Sequence, residues 1–360
     1  MIWKIVRLAG RVKRYCLPKY LSLEIGRGLR RYRHIKGLTN INLSTTTRCS
    51  VDCIFCPSKR GANNSVDFIS LQSTSKIIDE LRSKKFRKFH NIVVVSVGEN
   101  GDFFLHKDCI TILKMLRSSL PGVKIQCFSN FRMFTKDKID AVLRHNLLDY
   151  VGCNIDGANE RNYSMVKKGD YPATTENFHY FVSQRKRLWR DIPILLSALT
   201  FHDYVKGIYF NLGILPGKVD IKRQDINKIV DDFSQTMDQY RNILDHPKDK
   251  IMRSCAVGWA ERKYVDLNLI NYKDYHCPQI ERIEKEAFIA PDGSWYACCW
   301  DGENELNLGN VFTQSINDIF FSETRKRFIT SLKNQQFGNI GGPCLTVNCC
   351  QKLDPHEKTY

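Results

Sequence analysis

The chain reads as an α/β protein, a partial (β/α)6 TIM-like barrel followed by a small C-terminal β-hairpin/helix domain. Three observations predict this. Short β-rich runs alternate with helical patterns from Leu38 to about Ile221, the signature of parallel βαβ units. The helical stretches between them are long enough to cross back over a parallel sheet. After about residue 250 the alternation gives way to clustered cysteines around a hairpin pattern.

The candidate strands are Thr39 to Ser44, Ile92 to Val97, Val123 to Phe128, Tyr150 to Asn154, Ile192 to Leu199 and Lys218 to Lys222. Ser75 to Ser83, Cys109 to Ser118, Lys136 to Arg144 and Thr175 to Arg187 carry the helical patterns. Arg223 to Lys250 reads as a helix and connector ending near Pro247. Phe288 to Cys298 reads as a hairpin, with Pro291-Asp292-Gly293 at its turn and glycine where a positive φ is needed. The expected division is 1–37, a basic amphipathic segment; 38–250, the barrel; and 251–360, the C-terminal domain. In a barrel of this kind functional residues sit at the C-terminal ends of the strands.

Composition narrows the class. The 360 residues are 42% hydrophobic and 26% charged, ordinary for a globular protein. The apolar runs fall short of a membrane span, and the N-terminus does not read as a signal peptide, so the expected location is cytoplasmic. Fourteen cysteines in such a chain point to metal ligands and scattered thiols rather than a disulfide framework. The formal charge of +17 attracts acidic partners, but no nucleic-acid module accompanies it, which disfavours nucleic acid. In the N-terminal segment Lys4, Arg7, Arg11 and Arg14 form one stripe and Ile5, Leu8, Val12 and Tyr15 another. Such a helix either packs on the barrel or makes a peripheral contact with a membrane surface, where lipid-linked sugars are available.

Directly after the first candidate strand come Cys49, Cys53 and Cys56, a Cys-x3-Cys-x2-Cys run. Three thiolates leave one iron of a 4Fe-4S cubane open to a chelate, and they lack the fourth ligand of a closed zinc site. The spacing, with Phe55 before the last cysteine, resembles the radical S-adenosylmethionine (SAM) superfamily. The resemblance implies a SAM-binding 4Fe-4S cluster, reductive cleavage of SAM to a 5′-deoxyadenosyl radical, and hydrogen abstraction from a substrate. Gly98-Glu99 at the second strand end resembles the family's Gly-Gly-Glu-Pro element, with Glu99 the acceptor for the SAM ammonium. This chain departs from the family there, with Asn100-Gly101-Asp102 in place of the usual proline and apolar residue. Ser129-Asn130 resembles the family's Thr-Asn pair, and Asn154-Ile155-Asp156-Gly157 its Ser-x-Asp-Gly segment.

Cys277 and Cys298 bracket the hairpin, and Cys344, Cys349 and Cys350 cluster near the C-terminus. The arrangement resembles the twitch or SPASM cluster-binding extensions and implies a second, auxiliary 4Fe-4S cluster, with either Cys349 or Cys350 as its fourth ligand. By ligand chemistry alone zinc also suits four thiolates here. Cys16, Cys109, Cys127, Cys153 and Cys255 read as small buried hydrophobes. The implied partners are a small-molecule or peptide substrate and an electron donor such as flavodoxin or ferredoxin. The implied reaction is oxidation of a sugar-like alcohol; modification of a ribosomally made peptide and a non-catalytic metal-binding protein contacting nucleic acid or lipid are the alternatives.

Overall fold

Alternation at period two decides which way each strand faces. Ile41, Leu43, Val95, Val97, Ile125, Cys127, Val151, Cys153, Ile194 and Leu196 are all at most 1% exposed and form one apolar layer under the helices. The intervening residues include Asn40, Asn42, Ser96 and Gln126, which give the opposite face of the sheet a polar lining. The computed structural model describes residues 37–53, 56, 66–157, 159–200, 238–255, 271–299, 301, 305–346 and 351–352.

The strands are β1 (Asn40–Leu43), β2 (Val94–Val97), β3 (Lys124–Ser129), β4 (Tyr150–Asn154), β5 (Ile194–Thr200) and β6 (Lys250–Cys255), each parallel to the next. Between them run α1 (Leu71–Arg82), α2 (Lys84–Arg87), α3 (Cys109–Ser119), α4 (Lys136–Arg144), α5 (Glu160–Lys167) and α6 (Tyr171–Arg187). Local chemistry starts these helices where they start. Ser70 caps α1 by accepting from the Ser73 amide, and Asp170 caps α6 by accepting from Ala173, with Pro172 in the first turn. This is the partial TIM-like barrel that the sequence predicts.

The expected strand Lys218 to Lys222, like most of Arg223 to Lys250, lies outside the described residues. The strand beside β5 is β6, and the boundary drawn between 250 and 251 falls inside it. Asp249 fixes its start: the carboxylate takes two bonds from the buried Arg185 guanidinium at 2.7 and 2.8 Å and a third from the Ile194 amide at 2.7 Å. The N-terminal segment, Phe55, Cys16, Cys349 and Cys350 also lie outside the described residues. Cys109, Cys127 and Cys153 are buried, as expected of small hydrophobes.

The C-terminal domain is not a detached module. After β7 (Tyr275–His276) and α7 (Ile280–Lys285), β8 (Glu286–Ile289) lies parallel to β1, and β9 (Ser294–Tyr296) and β10 (Asn307–Asn310) add antiparallel strands outside it. Among the described residues the result is one nine-stranded sheet, in the order β10-β9-β8-β1-β2-β3-β4-β5-β6. The β8–β9 turn is built as predicted. Gly293 has φ +85, its amide donates to Ala290 O at 3.0 Å, and a Cβ there would fall 2.5 Å from the Phe312 ring. Then come α8 (Ile316–Phe320), α9 (Glu323–Lys333), α10 (Phe337–Ile340) and β11 (Gln351–Lys352), which pairs antiparallel with β7. Among the described residues, no helix is long and apolar enough to cross a membrane.

Candidate active site

The loop leaving β1 is held by the loop leaving β2. Thr46 Oγ1 accepts from the Arg48 amide at 2.9 Å and donates to Asp67 O at 2.8 Å, while the Asp102 amide donates to Arg48 O at 2.8 Å. Gly101, at φ +77, allows this approach: a Cβ would stand 2.4 Å from Thr46 O. Ser50 Oγ donates to the Asp102 carboxylate at 2.7 Å and accepts from Asn130 Nδ2 at 3.2 Å. Asn130 Nδ2 also reaches Cys49 Sγ at 3.7 Å, the Arg132 guanidinium donates to Ser50 O, and the Asp52 amide donates to Lys167 O at 2.9 Å. The cysteine loop is thereby tied to the ends of β2 and β3 and to α5 behind β4.

Cys49, Cys53 and Cys56 are close enough to act on one another's charge. Burial pushes the Cys53 thiol up to about 12, opposed by the Lys167 ammonium, and burial likewise raises Cys49. Alone Cys49 and Cys53 stay protonated, so thiolates here need compensating positive charge, which bound iron would supply. The surroundings fit such a group: an amide N–H on one sulfur and a buried ammonium beside the set suit an anionic thiolate cluster. Among the described residues, no three His, Cys, Asp or Glu side chains form a site for a single metal ion.

At the end of β2, Gly98 takes φ +83, and a Cβ there would fall 2.3 Å from Phe128 O. Glu99 comes next, half-buried, with Oε1 accepting from Ser96 Oγ at 3.2 Å, and Ser96 Oγ in turn accepting from Gln126 at 3.2 Å. Burial pushes the Glu99 carboxyl up, while the Arg282 guanidinium opposes the shift. The departure from the family pattern has local causes. Asn100 Nδ2 donates to the Tyr296 hydroxyl at 3.0 Å, Gly101 backs onto the cysteine loop, and Asp102 both receives Ser50 and caps a short 3-10 turn through the Phe104 amide.

Ser129 Oγ and Asn130 Oδ1 accept from the amides of Phe131 and Arg132, so both turn back on the chain, although Asn130 still reaches the thiol loop. Asn154 is half-buried at the end of β4. Asp156 pairs with Lys167 at 2.6 Å, the two side chains 1% and 4% exposed. Of the expected strand-end residues, Asn130 meets the cysteine loop directly and Asp156 reaches it through Lys167. Sequence reasoning missed Ser50, Asp102, Arg132, Lys167, Arg282, Glu286 and Tyr296. Asp102 carried a signal, as a carboxylate three residues beyond Glu99 at a strand end.

On the inner face, Arg282 of α7 grips Glu286 through two bonds, Nε to Oε1 at 3.0 Å and Nη2 to Oε2 at 2.9 Å. Asn42 Nδ2 donates to the same carboxylate at 2.8 Å, and Arg282 Nη1 meets Cys299 Sγ at 3.5 Å. Tyr296 of β9 accepts from Asn100 and shares a hydrogen bond with the Ser44 hydroxyl at 2.9 Å, so the hairpin touches the tips of β1 and β2. Cys277, Cys298 and Cys344 are all buried. The β7–β11 pairing sets Gln351, which comes directly after Cys350, against His276, which precedes Cys277.

Comparison with known proteins agrees with this geometry. The family model of the Radical SAM superfamily matches residues 43–197, which run from the last residue of β1 into β5 and include the thiol loop. The chain belongs to the radical SAM superfamily. The model of the SPASM iron-sulfur cluster-binding domain matches 277–350, from the first to the last cysteine of the second set. This radical SAM enzyme therefore works with SAM, a SAM-binding 4Fe-4S cluster and auxiliary iron-sulfur chemistry in its C-terminal domain. The enzyme assignment sets aside the non-catalytic alternative.

Solved structures share the fold. BtrN, in complex with AdoMet and 2-DOIA, is 12% identical at a TM-score of 0.50, covering 88% of this chain and 94% of its own. SuiB of Streptococcus suis, bound to precursor peptide SuiA, is 13% identical at 0.53, covering 91% and 75%. Native anSMEcpe with bound AdoMet is 12% identical at 0.50, covering 81% and 83%. No curated protein matches the chain.

Proposed function

We propose that this radical SAM enzyme removes hydrogen from a small sugar-like alcohol held on the polar inner face of the barrel. The observation that carries the reading is the composition of that face beside Glu99. Asn42, Ser96, Gln126 and the Arg282–Glu286 pair offer hydrogen-bond donors and acceptors, which suit hydroxyl groups and penalise apolar ones. BtrN, which shares the fold, was solved with AdoMet and 2-DOIA.

In this reading Cys49, Cys53 and Cys56 hold the SAM-binding cluster, with Phe55 beside them, and Glu99 accepts the SAM ammonium. Gly98 lets Glu99 turn inward past β3. Asn130 donates to the Cys49 sulfur, Ser129 shapes the turn behind it, and Asn154 faces SAM from β4. Asp156 acts through Lys167, which holds the loop by its carbonyl. Cys277, Cys298 and Cys344, with either Cys349 or Cys350, hold the auxiliary cluster, whose donors adjoin the inner face because Cys298 neighbours Cys299. When loaded, the SAM-binding cluster supplies reductive cleavage of SAM to methionine and a 5′-deoxyadenosyl radical. Flavodoxin or ferredoxin is the proposed donor.

The test uses the full chain, reconstituted without oxygen and supplied with reductant, SAM and carbon-deuterated hexoses or aminocyclitols. The expected result is deuterium in 5′-deoxyadenosine and a carbonyl product: the carbon-bound hydrogen atom goes to the adenosyl radical, the second electron would go to the auxiliary cluster held by Cys277, Cys298 and Cys344 with Cys349 or Cys350, and the hydroxyl proton to water. The alternative substrate is a ribosomally made peptide, since SuiB, of the same fold, was solved with its precursor peptide. Deuterium transfer from peptides and from no sugar would overturn the alcohol, and absence of any SAM cleavage would overturn the site.

A further inference from the structure

Three of the four large apolar side chains that stand exposed among the described residues are at one end of the barrel, opposite the thiols. Trp189 precedes β5 by five residues and Phe89 precedes β2 by five, so in a parallel sheet both lie at the N-terminal ends of the strands. Their strands are three positions apart, about 15 Å at the usual strand spacing. Phe321 stands edge-on to Phe89 with ring centroids 5.3 Å apart. Exposure of single apolar residues is ordinary, but this gathering is not scattered.

Trp189 is the most informative of them. Its side chain is 94% exposed and its backbone sits at φ +51. The amide of Trp189 donates to Lys186 O at 3.1 Å and that of Arg190 to Arg185 O at 3.0 Å, a Schellman ending of α6 that places tryptophan where glycine is usual. The fold gains nothing from the ring there, and the backbone would be more relaxed without it.

Around these rings the charge is positive. Lys84, Lys85, Arg87 and Lys88 occupy a stretch with no acidic residue, and Lys88 Nζ lies 5.5 Å above the Phe89 ring. Most acids of the same end are matched: Asp149 with Arg117, Asp191 with Lys248 and His246, Asp245 with Lys186, Asp249 with Arg185; Glu80 and Asp318 lie near Lys85 and offset part of its charge. Gly37, just before β1, also packs here: a Cβ on it would fall 2.1 Å from Phe89 O.

We propose that this end of the barrel docks on an anionic lipid surface, with Trp189, Phe89 and Phe321 at the interface and the α2 cations among the phosphates. An aromatic ring set among lysines and arginines is the chemistry of that boundary, and the net charge of +17 complements it. The catalytic mouth then faces away from the bilayer, so substrate arrives from the aqueous side. A lipid-linked sugar, which the N-terminal segment alone would suggest, would have to reach around the barrel. The inference is independent of the substrate proposed above.

The experiment is co-sedimentation of the full, cluster-loaded chain with phosphatidylglycerol-containing and with pure phosphatidylcholine vesicles, alongside Trp189→Gly and Lys84→Gln/Lys85→Gln/Lys88→Gln. Wild type should bind the anionic vesicles selectively, and each variant should lose about tenfold in apparent affinity. Trp189→Gly should keep an equal or higher melting temperature and unchanged SAM cleavage, because glycine suits the helix end. No anionic-selective binding by wild type, or binding that Trp189→Gly leaves intact, would overturn the proposal. So would equal binding to RNA that ignores the tryptophan, since that is general attraction of polyanions.

Discussion

Lys167 and Asp156 face each other behind the thiol loop, a buried ion pair that also carries the carbonyl accepting the Asp52 amide. Burial alone would lower the Lys167 ammonium, but the Asp156 carboxylate outweighs it and holds the group above its ordinary range. Lys167→Met should therefore strand a buried carboxylate and cost about 3–5 kcal/mol, read by denaturant unfolding, with Lys167→Met/Asp156→Asn recovering part of the loss. Glu99→Gln should weaken SAM binding more than it changes iron content, because the carboxylate's proposed partner is the SAM ammonium; equal affinity by calorimetric titration would remove Glu99 from the pocket. His90 offers a pH test. Burial lowers it from 6.5 to about 4, and its Nδ1 accepts from the Leu38 amide at 3.0 Å. As pH falls from 6.5 toward 4 the unfolded chain takes up a proton that the folded one refuses, so stability declines across that window. His90→Gln should flatten the decline in melting temperature.

At this scale, what the sequence disclosed was local. Cys49, Cys53 and Cys56 fall within eight residues and announce themselves by spacing. Lys167 meets Asp156 from eleven residues away and Tyr296 meets Ser44 from 252, and no local pattern encodes such a meeting. Asp156 was legible as a strand-end carboxylate, but its ion partner was not.

Among the elements, β1 to β5 were legible because apolar residues alternate along strands covered by helices on one face. β6 was not. Among the described residues it is the last strand of the sheet, paired with β5, and it carries Lys250 and Arg253 as edge strands commonly do, so it reads as part of a charged connector. The hairpin was legible from its turn residues, yet its role in joining β1 and β2 rests on one hydroxyl. Tyr296→Phe removes the bonds to Ser44 and Asn100 while keeping the ring, and should cost about 1–3 kcal/mol of stability, because buried partners are left unpaired. A variant as stable as wild type would show that the hairpin is held by its strand pairing alone. The backbone bonds of β8 to β1 remain in that variant.

For the whole molecule, two separated cysteine sets predict about eight irons per chain after anaerobic reconstitution, and about four when Cys49, Cys53 and Cys56 are all replaced by alanine. The remaining cluster should stay visible by Mössbauer spectroscopy while SAM cleavage disappears. Persisting cleavage would mean that the radical chemistry lies elsewhere.

The seating of β8 against β1 also governs how the chain is made. One edge of β1 is completed by residues some 246 positions later, through bonds such as Thr39 to Lys285 and Ser44 to Ile289. At ordinary synthesis rates roughly 12–50 s separate the emergence of the two partners from the ribosome, and through that interval β1 can offer an open edge to neighbouring chains. Slower folding of the late strands would lengthen the exposure, since such distant pairing must pay loop-closure entropy first. Soluble yield should therefore depend on chaperone supply and fall sharply for chains cut before residue 286, even though every residue of the first thiol loop would be present.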